Sequence, residues 1–265
     1  MFENSFLFAF SLTLLTGLST GIGSLVAFFL KKDNFKFLSF MLGFSAGVMI
    51  YVSFTTLLPE AETLLLKSFT SKQTILISNI AFFLGIILAT IIDKLVPEPH
   101  EISKNSSLKK TSIENTKLLK TGVFVAIILA IHNFPEGLST FISALTQTSI
   151  GYSVALAMAL HNIPEGIAVS IPIFYATGSR KNAFTYSFLS GLIEPVGAIF
   201  GYFVLFPLIS YQFMGSVFAF IAGIMIYISF ASLYPLAQQT TDSKLSINGL
   251  FTGFFIMAIC LFLLA

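Results

Sequence analysis

The sequence predicts an all-α polytopic membrane protein, and two bulk observations and one pattern support this fold class. Hydrophobic residues make up 55% of the 265 positions, charged residues make up only 10%, and the mean hydropathy is +0.90. A soluble domain of this length needs more charge than this to cover its surface. Apolar runs close to or above the ~20 residues needed to cross a bilayer recur along the whole chain. The chain is therefore expected in the plasma or inner membrane of a cell, in contact with lipid and without a nucleic-acid partner.

The apolar runs define eight predicted transmembrane spans. They cover residues 5–30, 37–59, 74–93, 121–145, 150–175, 182–207, 212–236 and 246–265. The first run is too long for the core of a signal peptide and has only Glu3 as a charged residue, so it is expected to remain as a helix. Cys260 is the one cysteine, which leaves no internal disulfide and no thiolate cluster for a metal.

The basic residues predict the orientation of these spans. Of the 14 lysines and arginines, only Lys67 and Lys72 lie in connections that follow an even-numbered span. The others lie after odd-numbered spans, and the positive-inside rule places those connections in the cytoplasm. Both termini are therefore expected on the extracytoplasmic side.

The second and seventh spans resemble one another. Residues 46–54 (AGVMIYVSF) match residues 222–230 (AGIMIYISF), although the predicted topology runs the two spans in opposite directions. This predicts a 3+2+3 arrangement with inverted repeats, a pattern typical of transporters with a site near the middle of the membrane. The single domain, residues 1–265, would comprise a three-helix unit (1–96), a cytoplasmic loop (97–120), a central helix pair (121–175) and a second three-helix unit (182–265).

Two near-copies of one hexapeptide lie inside the central helix pair. They are His132-Asn133-Phe134-Pro135-Glu136-Gly137 and His161-Asn162-Ile163-Pro164-Glu165-Gly166. Ionisable residues at membrane depth are costly and mark functional sites. Residues 121–175 contain no lysine or arginine that could neutralise the two carboxylates. The missing partner is therefore expected to be protons or a cation.

The spacing within each hexapeptide brings ligand types for a metal together. His132 and Glu136 are four residues apart, so both point to one face of a helix. Pro135 and Pro164 each free a backbone carbonyl and kink the helix. Glu194, in the sixth span, lies at a similar depth. Imidazole with carboxylate suits zinc, iron(II), manganese or cobalt rather than copper(I).

The paired HNxPEG motifs, the eight spans and the long loop after the third span resemble the Zrt/Irt-like (ZIP) family of divalent-metal transporters. The likeness is greatest to its bacterial zinc-uptake (ZupT-type) branch and covers nearly the whole chain. It implies a transporter and not an enzyme, without a bound cofactor, that moves zinc into the cytoplasm. Iron(II), manganese and cobalt remain candidate substrates.

The resemblance also implies a paired-metal site. One metal would be held by His132, Glu136, His161 and Glu165. A second would be held by Asn133, Asn162 and Glu194, with Glu136 and Glu165 bridging. Met49, in the second span, is a further candidate ligand.

Two departures from the family pattern leave the choice of metal open. Relatives often carry acidic residues where this chain has Thr55-Thr56 and Ala231-Ser232. The loop of residues 97–120 is also poor in histidine, with His100 alone, and a solvated side chain is the expected state of that residue.

Other functions remain open at this stage. A metal-selective channel of the same fold would use the same ligands, and an intramembrane metal-dependent hydrolase could place a zinc-bound water on them. The absence of an HExxH pattern disfavours the hydrolase. The sequence does not choose between a monomer and a homodimer, nor decide whether transport is coupled to protons.

Overall fold

The computed structural model describes residues 2–29, 35–95, 108–146, 148–205, 210–240 and 243–264, and these residues form helices joined by short turns. The α-helices are α1 (Phe2–Phe29), α2 (Phe35–Val52), α3 (Leu58–Leu66), α4 (Ser71–Leu95), α5 (Leu108–Thr146), α6 (Thr148–Thr177), α7 (Arg180–Gly191), α8 (Ile193–Phe200), α9 (Tyr211–Tyr227), α10 (Tyr234–Thr240) and α11 (Ser243–Leu264). Within them, eight stretches are long and apolar enough to cross a membrane. The prediction of an all-α, multi-pass protein is confirmed.

Two of the predicted spans contain a widened, π-helical turn between two α-helices, and a third such turn, Gly201–Leu205, follows α8 in the sixth span. Residues Ser53–Leu57 join α2 to α3, and Ile228–Leu233 join α9 to α10. The Leu58 amide donates to the Ser53 carbonyl, five residues earlier. Each of the two turns that join α-helices lies just before a proline, Pro59 or Pro235. A proline lacks an N–H and crowds the carbonyl four residues earlier, so the wider turn relieves the clash without ending the span.

The sixth span is divided at Leu192, between α7 and α8. The Leu192 amide still donates to the Phe188 carbonyl at 3.1 Å, so the chain direction continues. Pro195 follows in the first turn of α8, where its missing N–H has no partner to lose. This division places Glu194 at the start of α8.

Helix α5 begins earlier than the sequence predicted. It starts at Leu108, inside the segment expected to be a cytoplasmic loop of residues 97–120. Residues 108–120 contain neither proline nor glycine, so nothing in them breaks a helix that continues from the membrane. Residues 96–107, including His100, lie outside the described part of the chain.

The helices pack in a grouping that differs from their order in the chain. Helix α1 packs against α5, α6 and α7, and α5 packs against α6 and α8. Helix α2 packs against α11, and α4 packs against α9. Helices α2 and α6 also meet, where the Ser45 hydroxyl donates to the Pro164 carbonyl at 3.0 Å. The helices that carry the hexapeptides therefore share one bundle with α1 and α8, and the 3+2+3 arrangement and the orientation of the termini stay predictions.

The close approaches of helices recur at equivalent positions of the two matched segments. Gly47 in α2 faces the Leu250 carbonyl of α11, and its counterpart Gly223 in α9 faces the Phe82 carbonyl of α4. A side chain at either glycine would overlap that carbonyl. Small residues at such crossings let backbones approach closely inside a membrane.

Candidate metal site

Three ligand groups of the two hexapeptides meet between α5 and α6. His132 Nε2 lies 3.2 Å from Glu136 Oε1 and 3.1 Å from Glu165 Oε1. All three ligand atoms lie within 4.8 Å of one another. His132 and Glu165 are 0% exposed and Glu136 is 1% exposed. The arrangement is small and enclosed, and its geometry suits a cation.

The local fold explains why these groups converge. His132 and Glu136 lie one helical turn apart on α5, so their side chains stack on one face. Helices α5 and α6 run antiparallel, since Gly122 packs on Ile173 at one end and Gly151 packs on Ala144 at the other. This register places the second hexapeptide opposite the first. Pro135 and Pro164 lie inside the two helices beside these groups.

The two asparagines of the hexapeptides are held in equivalent ways. The Asn133 side-chain amide donates to the Ser190 carbonyl at 3.0 Å, and the Asn162 amide donates to the Thr16 carbonyl at 2.8 Å. Both residues are 0% exposed. Within the described residues, neither side-chain oxygen has a hydrogen-bond partner. A buried amide oxygen without a donor is suited to a cation.

Glu194 of α8 lies beside this group, and its carboxylate is hydrogen-bonded to side chains of α1 and α6. Its Oε2 accepts a hydrogen bond from the Thr16 hydroxyl, and its Oε1 accepts one from the Asn162 amide. Glu194 is 0% exposed and close enough to Glu136 and Glu165 for the carboxylates to repel one another. Glu194 therefore lies next to residues of the hexapeptides. Its carboxylate is hydrogen-bonded to Asn162 of the second hexapeptide and to Thr16 of α1.

Two predicted ligands are placed less closely. The backbone of His161 lies in α6, but its side chain is outside the described part of the structure. Met49 is 0% exposed in α2, one turn beyond Ser45, which contacts Pro164. Met49 therefore faces the hexapeptide helix α6. Its role as a ligand stays a prediction.

The hydroxyl groups of α1 that border the site were not predicted from the sequence. Thr16 contacts Glu194 and Asn162, and Thr20 packs against Gly191. A signal for them exists in the sequence, because Thr13, Thr16 and Thr20 recur at helical spacing in an otherwise apolar run.

The chemistry of this group favours a divalent cation. Three carboxylates and an imidazole are buried together, and ionised carboxylates in a low-dielectric interior are unstable without a compensating charge. Residues 121–175 supply no lysine or arginine to them. Carboxylate, imidazole and amide oxygen together form the ligand set of borderline and hard divalent metals.

The fold and the site together define a polytopic helical membrane protein with a buried group of side chains whose geometry suits a divalent cation. Comparison with known proteins identifies the class more closely. A family profile described as "ZIP Zinc transporter" matches residues 94–261. The chain belongs to the ZIP family of zinc transporters.

Relatives of high identity extend this match over nearly the whole chain. "Zinc transporter ZupT" of Streptococcus mutans is 53% identical over 258 residues, which cover 96% of this chain and 97% of that protein. The protein of the same name from Chlorobium phaeovibrioides is 51% identical, over 97% and 98% of the two chains. The one from Clostridium perfringens is 48% identical, over 98% and 97%. These relatives are named as transporters and not as enzymes, so the hydrolase alternative is set aside.

Proposed function

We propose that this protein moves zinc into the cytoplasm through the buried site between α5 and α6. The convergence of His132, Glu136 and Glu165 carries this proposal, because three ligand groups meet at one point without a lysine or arginine in either span. Zinc binds such imidazole and carboxylate ligands. The names of the relatives support zinc as the substrate. Iron(II), manganese and cobalt share the ligand preference and are proposed as weaker substrates.

A second metal is proposed beside the first. The free oxygens of Asn133 and Asn162 and the carboxylate of Glu194 would bind it, and Glu136 and Glu165 would bridge the two ions. His161 would complete the first ion's ligands, and Met49 is proposed as a further ligand from α2. The support for two ions is the number of buried carboxylates, which exceeds what one divalent cation neutralises.

A cavity of about 840 Å³ is the proposed entrance for the metal. Its lining includes Lys67, in a connection that the sequence predicts to be extracytoplasmic, and it extends to Ser139 and Met158. Ser139 lies one turn beyond Glu136 on α5, and Met158 lies one turn before Asn162 on α6. The cavity therefore reaches within a helical turn of the ligands from the predicted outer side.

Movement of one helix group against another is what would distinguish a carrier from a channel. The bundle of α1, α5, α6, α7 and α8 carries all the proposed ligands except Met49. A carrier would shift this bundle relative to α2 and α9, and a channel would leave it in place. Saturation of flux at micromolar zinc would favour the carrier, while linear flux up to millimolar zinc would favour the channel.

The first experiment is zinc entry into liposomes that contain the purified protein and a zinc-sensitive dye. We expect saturable entry for the wild type and loss of entry for His132→Ala. His100→Ala is the matched control, since that histidine lies in the polar segment before α5, and its entry rate should stay within twofold of wild type. Equal entry by wild type and His132→Ala would contradict the proposed site, and no entry by the wild type would contradict the transport function.

A further inference from the structure

Helix α1 presents a row of buried hydroxyl groups to the rest of the bundle. Its members Thr13, Thr16, Ser19, Thr20 and Ser24 are all at most 3% exposed. Several donate to a carbonyl of their own helix, which is the usual arrangement of hydroxyls in apolar helices. Thr13 donates to the Ala9 carbonyl at 3.0 Å, and Ser24 donates to the Gly21 carbonyl at 2.6 Å. Thr16 differs from these, because its hydroxyl also reaches a carboxylate on another helix.

The Thr16 hydroxyl has two acceptors for a single proton. One is Oε2 of Glu194, and the other is the Thr13 carbonyl oxygen at 2.8 Å. A hydroxyl donates one hydrogen bond at a time. While it donates to Glu194, the carboxylate is bound to α1. If Glu194 moves away, the proton turns to the Thr13 carbonyl and no buried donor is left without a partner.

Asn162 adds a second bond to the same carboxylate. Its amide donates to Glu194 Oε1 and also to the Thr16 carbonyl at 2.8 Å. Both carboxylate oxygens of Glu194 are thus bound by Thr16 and by a side chain that Thr16 orients. Among the described residues, Glu194 is not a member of the group of ligand atoms within 4.8 Å that His132, Glu136 and Glu165 form.

The equivalent position on α7, Ser190, lacks a hydrogen bond from its hydroxyl to a carboxylate. Gly17 and Gly191 approach each other, so Ser190 before Gly191 corresponds to Thr16 before Gly17. The carbonyls of both Thr16 and Ser190 accept an asparagine amide. The Ser190 hydroxyl, however, donates to the Ser187 carbonyl at 2.7 Å. The backbone contact is common to both positions, whereas the bond from hydroxyl to carboxylate is found at Thr16 and not at Ser190.

We propose that Thr16 is a positioning residue that holds Glu194 apart from the His132 group until metal arrives. The inference rests on the proposed transport function and adds a step to it. Glu194 joins the bound cation when its contact with Thr16 opens, and it returns to Thr16 when the cation leaves. Thr16 thereby prevents Glu194 from binding zinc too tightly for release.

The substitution Thr16→Val tests this role, because valine keeps the shape of threonine without the hydroxyl. Calorimetric zinc titration of the full-length protein in detergent should give a Kd about tenfold lower, since one hydrogen bond to a charged group no longer competes with the metal. In liposomes the KM should fall and the maximal rate should fall with it. Thr16→Ser keeps the hydroxyl and should restore both values.

Two further comparisons, together with the Kd of Thr16→Val itself, decide the proposal. In a Glu194→Gln background, Thr16→Val should no longer change the Kd, because the two residues act through one contact. Ser190→Ala, which removes the equivalent hydroxyl, should leave the Kd within twofold of wild type. An unchanged or weaker Kd in Thr16→Val, or an equal shift in Ser190→Ala, would overturn the proposal. If Thr16→Val does not fold, Thr16→Ala takes its place in every comparison. The titration does not depend on flux, so a wild type without zinc entry would contradict only the transport function.

Discussion

At the scale of single residues, Glu165 is the side chain that joins the two hexapeptide helices. It lies on α6 and contacts His132 of α5 at 3.1 Å. Glu165→Gln keeps the shape and removes the charge. We expect the zinc affinity to fall at least about tenfold, the loss found even for outer partners of metal ligands. Calorimetric titration of the purified protein measures this change.

A matched substitution separates this effect from a general change of charge. Glu62→Gln alters an exposed carboxylate on α3, away from the bundle, and should leave the affinity within twofold of wild type. A tenfold loss in both variants, or in neither, would show that Glu165 does not bind the metal.

The difference between Glu165 and Thr16 shows what a sequence can predict at this scale. A carboxylate inside an apolar span stands out, because its burial demands a partner. A threonine does not, since its hydroxyl is satisfied by its own helix in most membrane spans. The contact of Thr16 with Glu194 joins α1 to α8 and depends on the crossing at Gly17 and Gly191. No pattern of neighbouring residues in the sequence predicts that crossing.

At the scale of helices, Gly137 determines how closely α8 approaches α5. A Cβ atom at this position would overlap the Glu194 carbonyl oxygen. A backbone oxygen cannot rotate away, so Gly137→Ala must displace α8 and the Glu194 carboxylate with it. We expect a destabilisation of about 1–3 kcal/mol, as in other overpacked sites, and a fall of the melting temperature by about 3–10 °C. Thermal unfolding in detergent, followed by the loss of the helical circular dichroism signal, measures this.

Gly21→Ala, at the contact of α1 with α7, is the control for this substitution. The nearest atom to a Cβ at Gly21 is a ring carbon of Phe188 at 3.0 Å, and a side chain can move aside where a backbone cannot. Its melting temperature should stay within about 2 °C of wild type. Equal losses in the two variants would mean that the approach of α8 to α5 has no special demand for glycine.

The interruptions of the helices were predictable only in part. Pro135 and Pro164 were expected to kink α5 and α6, and both lie inside those helices. The widened turns before Pro59 and Pro235 were not predicted, because a proline alone does not tell whether the chain kinks, ends or adds a residue to the turn. The start of α5 at Leu108 was missed for a simpler reason. A polar segment without proline or glycine is compatible with both a loop and a helix.

At the scale of the whole molecule, the number of spans was predictable and their neighbours were not. Composition and length alone define eight apolar stretches. The match between residues 46–54 and 222–230 reports equivalent positions in the chain, but it does not report contacts. Helix α2 packs against α11, at the far end of the sequence, because Gly43 and Gly47 admit the backbone at Ser246 and Leu250. Glycine spacing predicts a close contact without naming its partner.

The orientation of the whole molecule stays a prediction, and it determines the side of the membrane to which the cavity opens. The basic residues place the connection near Ser68 outside the cell and the turn at Thr177 inside it. Both positions are exposed, so a cysteine there is open to a reagent. We expect Ser68→Cys, in a Cys260→Ala background, to react with a membrane-impermeant maleimide on intact cells. Thr177→Cys in the same background should react only after the membrane is permeabilised, and Cys260→Ala alone should not react at all. Labelling of Thr177→Cys but not of Ser68→Cys on intact cells would show that the topology is the inverse of the predicted one. The 840 Å³ cavity would then open toward the cytoplasm, as the exit for the metal.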